Sequence, residues 1–216
     1  MVYEPPVGIL TDTAILEGIA SQAIRISPWT PEQLNSVSYD LTLGDEVAVY
    51  SDWVLCDETW EQRIGVRDGS DLVPIDRVMD VKDEPAVFRW KIDPDRGWVC
   101  KPGIGYLMHV RETIHTTAYE PIIDGKSSIG RLFVKVHFTA GFGDPNFNGQ
   151  FTLEVEAKHP IRVYPGMRIA QVRFHTLEGT LGKPYDGNYV GASAQGAVES
   201  RAWRQFKNRP IRRDEK

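Results

Sequence analysis

The sequence predicts a mainly β protein, a barrel or sandwich with a few short helices. Short segments in which polar and apolar residues alternate recur along its second half, the periodicity of half-buried strands. They are separated by turn residues, drawn from 19 glycines and 14 prolines among 216 residues. No sustained helical period interrupts this pattern after the first few dozen residues. Many short strands with frequent turns point to closed or double-layered β architecture. The length suits one domain, and a 41% hydrophobic content suffices for a buried core. That domain is expected to span residues 1–200, followed by a basic tail over 201–216.

Asp12 to Gln22 reads as a short amphipathic helix, with Ile15, Leu16 and Ile19 on one stripe and Asp12 as its cap. Thr30-Pro31-Glu32-Gln33 has the layout of a capping box with proline at the first helical position, so one further helical turn is expected there. Ser38 to Gly44 then alternates polar and apolar, a half-buried strand ended by glycine, and Val47 to Tyr50 is a second short candidate. Residues 51–100 carry charges, turn signals and four tryptophans, Trp53, Trp60, Trp90 and Trp98. They read as short strands and loops in which the tryptophans pack rather than hold ligands.

Lys101-Pro102-Gly103 is a turn before a strand over Gly105 to Val110. Leu132 to Thr139 alternates, with Leu132, Val134, Val136 and Phe138 on one side. Gln150 to Lys158 does so more cleanly: Phe151, Leu153, Val155 and Ala157 oppose Thr152, Glu154, Glu156 and Lys158. Ile161 to Tyr164, a Pro165-Gly166 turn and Arg168 to Phe174 complete an expected meander.

Composition excludes several function classes. No apolar run approaches the roughly 20 residues that cross a bilayer, and MVYEPPVGIL lacks the basic and apolar regions of a secretory signal. A soluble, cytoplasmic protein with no membrane partner is expected. The net charge of −5 argues against nonspecific nucleic-acid binding. The only cysteines, Cys56 and Cys100, stand alone, without the H-x-E and P-C-x-x-C segments that hold zinc in nucleobase deaminases. Zinc hydroxide chemistry is therefore not expected. Gly125-Lys126-Ser127-Ser128 has the ending of a phosphate-binding P-loop, but the glycine that motif requires is Glu120.

Three segments remain as candidates for chemistry. In Asp124 to Arg131, a glycine turn followed by two serines suits the start of a short helix, whose free N–H groups can meet phosphate. Ser127 and Arg131 would share a face, although a serine-capped turn with a surface arginine has the same pattern. In Thr139 to Gly149, three glycines and a proline frame Asp144, either as a ligand loop or as a hairpin with an Asx turn. Glu154 lies in mid-strand. Lining a pocket it could act as a general base; facing water it is an ordinary exposed charge. The tail beyond Arg201 is either solvated or a cover for an anionic ligand.

Taken together, SYDLTLG, GKSSIGR, HFTAGFGDPNFNGQFTLE and PGMRIAQVRF resemble, in order and spacing, the dCTP deaminase and dUTPase superfamily. The resemblance runs from about residue 8 to residue 201, with an insert-like stretch at 51–100. It implies a distorted β-barrel of the dUTPase-like, β-clip type. It also implies a homotrimer with active sites between subunits, and action on deoxycytidine or deoxyuridine triphosphate with magnesium. The metal would be held by substrate phosphates and water, with no direct protein ligand. The deaminase branch matches better, through Ser127-Ser128-x-x-Arg131 and Thr152-Leu153-Glu154.

For that branch the resemblance implies that Glu154 takes a proton from the water that attacks C4 of cytosine and returns it to the ring and the leaving ammonia. Ser127 and the backbone at Ala140 would orient the water and stabilise charge, and Arg131 would hold Glu154 ionised. Lys126 and Ser128 would meet phosphates, and Asp40 and Asp144 the sugar or magnesium-bound water. Thr139, Gly141, Phe147, Thr152, Arg168, Gln171, Tyr189 and Gln195 complete the implied nucleotide pocket. Thr139-Ala140-Gly141-Phe142-Gly143-Asp144 departs from single-activity deaminases and resembles dUTPases and bifunctional deaminase–dUTPases. Asp144 would then support release of pyrophosphate to give dUMP. Asn188 stands where relatives carry a triphosphate-binding lysine. Two readings stay beside the deaminase: a pyrophosphohydrolase without deaminase activity, and a nucleotide-binding regulator without turnover.

Overall fold

The computed structural model describes residues 8–50, 69–70, 79–183, 185–189 and 196–207. Two α-helices, α1 (Asp12–Ala20) and α2 (Ser127–Gly130), accompany eleven strands among them. The strands are β1 (Ile24–Ser27), β2 (Leu34–Asn35), β3 (Ser38–Tyr50), β4 (Val87–Lys91), β5 (Trp98–Cys100), β6 (Tyr106–Thr116), β7 (Tyr119–Gly125), β8 (Val134–Lys135), β9 (Asn148–Ala157), β10 (Ile161–Val163) and β11 (Arg168–Thr176). Nine of them form one antiparallel sheet in the order β7-β11-β3-β6-β9-β8, with β1 on β6 and both β2 and β4 on β3. Register shifts at Leu43/Val47, His109/Thr113 and Arg168/Ala170 interrupt its ladders. Such bulges bend strands and raise their twist, which lets one sheet curl into a nearly closed, barrel-like wall. The mainly β expectation holds.

The central strand is longer than its sequence suggests. Gly44 does not end it: Ser38 to Tyr50 is one strand, and a Cβ at Gly44 would lie 2.0 Å from the ring of the buried His109. Glycine makes room there for a side chain from β6. Both sides of the first half are covered as well. Tyr39, Leu41 and Leu43 are fully buried in the apolar core, and Ser38, Asp40 and Thr42 are buried in a polar layer. The pattern read as half-exposed belongs to a strand flanked by β11 and β6.

Other expectations are corrected. Thr11, not Asp12, caps α1, its hydroxyl accepting the Ala14 N–H, and Leu16 is exposed while Ile15 and Gly18 are buried. The expected capping box is a 3-10 turn over Pro31–Gln33 in which Thr30 makes no side-chain cap. Gln33 instead turns inward, because the Asp40 carbonyl and the Glu112 carboxylate accept from its amide. The strand expected over Leu132 to Thr139 shrinks to β8, with Leu132, Phe133 and Phe138 exposed. The meander is absent too: β10 pairs with β5, while β11 pairs with β3 and β7. Within the described part of 51–100, Trp90 and Trp98 do pack, their rings 5.3 Å apart. Trp53 and Trp60 lie outside the described residues. No helix among the described residues is long and apolar enough to cross a membrane.

Candidate active site

Beneath the β3–β11 seam, register places Gln171 opposite Asp40, and β7 ends beside both at Gly125. Lys126 follows at once, so its side chain reaches back over the seam. Its Nζ donates to both Asp40 carboxylate oxygens at 2.9 Å. Gln171 Nε2 at 2.9 Å, Asn35 Nδ2 at 3.0 Å and Arg168 at 3.2 Å complete the donors. Burial alone would raise the Asp40 carboxyl, but the hydrogen bonds of Lys126, Gln171 and Asn35 outweigh it and hold its pKa below the ordinary carboxylate value. Asp40 is 0% exposed in the single chain, its carboxylate taken up by these donors. It orients three candidate residues, Lys126, Arg168 and Gln171, from below.

A second buried carboxylate supports this layer. Glu112 on β6 is 1% exposed and accepts from the Thr42 hydroxyl at 2.6 Å, the Thr42 N–H at 2.9 Å and Gln33 at 3.1 Å. Sequence reasoning missed Gln33, Asn35 and Glu112. Their signal, polar residues inside or beside strands, is shared by any solvated edge.

Lys126 also opens α2, whose Ser127 and Ser128 are exposed, as is Arg131 just beyond it. The chain then passes β8 and enters the loop containing Thr139, Ala140, Gly141 and Asp144. That loop is stitched to β7: Ile123 N–H donates to the Gly141 carbonyl, and Gly143 N–H to Pro121 O at 2.7 Å. A Cβ at Gly141 would lie 2.5 Å from the Ile123 carbonyl oxygen, so glycine permits this approach.

Glu154 sits half-buried on β9. Its Oε2 accepts the Phe138 N–H at 2.9 Å, and its own N–H donates to Val136 O at 3.0 Å. The carboxylate is thereby held against the start of the Thr139–Ala140 segment. Neither an ion pair nor a hydrogen bond joins Arg131 to Glu154 among the described residues of one chain. Within a single chain the structure thus pairs Glu154 with the loop, and leaves Ser127, Ser128 and Arg131 on an exposed face.

Asp144 is exposed on a cleft of about 300 Å³ that Lys183, Tyr185 and Asp186 also line. Phe147 lies 4.9 Å from the Phe151 ring and 6.0 Å from that of Tyr185, one of the lining residues. Lys183 and Tyr185 are not among the pocket residues that the resemblance implies, and only the fold of the chain brings them beside Asp144. Tyr189, the expected tyrosine, stands next to them, its N–H donating to the Tyr185 hydroxyl at 3.3 Å. Thr152, two positions before Glu154, accepts the Val198 N–H at 3.0 Å. Gln195 lies outside the described residues.

The donor set bears on metals. Cys100 is fully buried, and desolvation pushes its thiol up to about 12, so it is a core residue rather than a thiolate ligand. Asp144 is an exposed carboxylate of the kind a hydrated divalent cation on a phosphate chain can meet.

Residues 9–177 match the dCTP deaminase-like family. The chain is 35% identical over 201 residues to a dCTP deaminase, dUMP-forming, of Leptospira biflexa, covering 93% of this chain and 99% of that protein. Proteins of the same name from Cytophaga hutchinsonii and Hathewaya histolytica are 36% and 35% identical, covering 84% and 77% of this chain and 90% and 82% of theirs. Among solved structures, the fold resembles that of 2'-deoxycytidine 5'-triphosphate deaminase from Agrobacterium tumefaciens, with a TM-score of 0.56 and 22% identity. That match covers 82% of this chain and 51% of the other, so the chain spans about half of that solved protein.

Proposed function

The chain belongs to the dCTP deaminase-like family, and on that premise we propose that it deaminates dCTP and then releases pyrophosphate, giving dUMP. The observation that supports this most is the setting of Glu154. A half-buried carboxylate is fixed by one main-chain N–H beside a glycine-containing loop, which suits a general base. Glu154 takes a proton from water as the oxygen bonds to C4 of cytosine. It returns that proton to the ring nitrogen, then takes the proton of the new C4 hydroxyl and passes it to the amino group, so that the C4–N bond breaks with loss of ammonia and the C4 carbonyl forms. Ser127 and the main chain at Ala140 place the water and meet the developing charge.

Deamination alone yields dUTP. The relatives named dUMP-forming, and the exposed Asp144 on its cleft, support a second step in which a water directed by Asp144 attacks the α-phosphate and pyrophosphate leaves. Magnesium bound with the triphosphate supplies charge neutralisation. Lys126, held by Asp40, and Arg168 bring positive charge to the phosphate side. No zinc enters this proposed reaction, since the sequence lacks the H-x-E and P-C-x-x-C segments that hold it in zinc deaminases.

The exposure of Ser127, Ser128 and Arg131 supports a site completed between copies in a homotrimer, where Arg131 of one copy would face Glu154 of the next. Light scattering that gave a monomer at working concentration would remove this arrangement.

The activity is tested with dCTP and magnesium, resolving nucleotides, ammonia and pyrophosphate. dUMP, ammonia and pyrophosphate in equal amounts are expected. Accumulation of dUTP with ammonia would remove the second step. If dCTP stays intact while dUTP is cleaved, the chain is a pyrophosphohydrolase and the deaminase reading fails.

A further inference from the structure

Residues 196–200 lie against the sheet at β3, β4, β6 and β9, tied down by side chains of β3, β4 and β9. Val198 N–H donates to Thr152 Oγ1 and Ser200 N–H to the Tyr50 hydroxyl, both at 3.0 Å. The Arg89 guanidinium donates to the Ala197 carbonyl and the Glu199 carboxylate, and is itself held by Glu46 Oε1 at 2.9 Å. Gly196 leads in with φ +94°, and a Cβ there would lie 2.8 Å from Glu46 Oε1. Ala197 packs against Ala48 and Leu107, and Trp203 is 6% exposed.

This strap is linked to the candidate site at both ends of its run. Thr152 stands two positions from Glu154 on the same side of β9. Arg201, one residue past the Tyr50 contact, donates to the Asn188 carbonyl and lies over the Tyr189 ring at 5.7 Å. Tyr189 is bonded in turn to Tyr185, which lines the Asp144 cleft. Burial pushes the Tyr50 phenol above its ordinary value; the Tyr189, Glu199 and Glu154 charges add to this and the Ser200 amide opposes it.

We propose that Arg89 and Tyr50 are positioning residues for the reaction: they fix the register of residues 197–201, and through Arg201 the placement of Tyr189 and Tyr185 at the Asp144 cleft. This rests on the deaminase reading of the site. An exposed ion pair by itself holds little. Here one planar guanidinium reaches two carboxylates and a main-chain carbonyl, and this geometry selects one register, which a lysine ammonium would do less well.

The test uses the full chain and the variants Arg89→Met, Arg89→Lys, Glu199→Gln and Tyr50→Phe. Hydrogen exchange reads the Val198 and Ser200 amides; kinetics and calorimetry read dCTP with magnesium. For Arg89→Met, exchange of both amides should rise, and KM and Kd for dCTP should increase about tenfold. kcat should fall by less than about threefold, because Glu154 and its Phe138 donor are untouched. Arg89→Lys should recover part of the loss, and Glu199→Gln and Tyr50→Phe should move both readouts the same way by less. If Arg89→Met does not fold, those three variants carry the test. Unchanged amide protection overturns the proposal, as does lost protection with unchanged KM and Kd. A wild-type chain that neither binds nor turns over dCTP would instead remove the deaminase reading and the positioning role with it, leaving exchange to decide the strap's attachment alone.

Discussion

The ammonium of Lys126 lies 2.9 Å from each carboxylate oxygen of the fully buried Asp40. This makes the β3–β11 seam a foundation for the first residue of the Lys126-Ser127-Ser128 segment. A lysine anchored from below presents its charge in one place, and a free one would sample many rotamers. The consequence for function is a preset electrostatic floor beside α2.

Asp40→Asn keeps the shape but removes the charge that Lys126, Arg168 and Gln171 converge on. The variant should lose about 2–4 kcal/mol of stability, as expected for breaking a buried pair. Urea unfolding measures it. A loss below about 0.5 kcal/mol, the range of ordinary surface changes, would show that the cluster is not structural.

The same carboxyl sets a pH dependence. Its pKa is lower in the fold than the unfolded value of about 3.9. Its stabilising contribution is therefore complete above that value and is lost as pH falls through the folded pKa. Urea midpoints taken from about pH 6 down to about pH 3 should fall more steeply for the wild type than for Asp40→Asn. Parallel curves would remove Asp40 as a source of acid lability.

Glu154→Gln retains an oxygen that can accept the Phe138 N–H but is no base. Deamination should fall by at least about 10²-fold, with dCTP affinity by calorimetry changed only a few-fold. Full activity in this variant would take Glu154 out of the mechanism.

Gly141→Ala drives a methyl group to 2.5 Å from the Ile123 main-chain oxygen. Main chain cannot yield as a side-chain tip can, so a cost of about 1–3 kcal/mol is expected, together with reduced kcat/KM as the loop shifts. Thermal unfolding and steady-state kinetics read the two effects. A variant as stable and active as the wild type would show that the Ile123–Gly141 contact does not fix the loop.

Legibility followed local physics. The β9 strand was readable because its alternation reflects one covered face, and Leu153, Val155 and Ala157 are indeed buried. The Pro165-Gly166 turn was readable because Gly166 takes φ +80°. Gly44 was misread because its reason, the ring of His109, comes from a residue 65 positions away. The strand expected over Leu132 to Thr139 is only Val134–Lys135, with Leu132 and Phe138 exposed, because apolar alternation does not say whether a covering layer exists. The caps expected at Asp12 and Thr30 differ from those observed because a cap depends on which oxygen the local backbone aims at an amide, and several neighbours qualify by type.

By itself the sequence determined the β class, which rests on local alternation and turns, and through its resemblance to a known family it offered the candidates Lys126, Ser127, Arg131, Asp144 and Glu154. Only the tertiary structure decided that Asp40 is a buried support and that Glu154 is oriented by the Phe138 N–H. It alone brought Tyr185 to Asp144, and fastened residues 196–201 to Arg89 and Tyr50. Those facts depend on register between strands far apart in the chain, and hydrogen bonds across such distances leave no periodicity in the sequence.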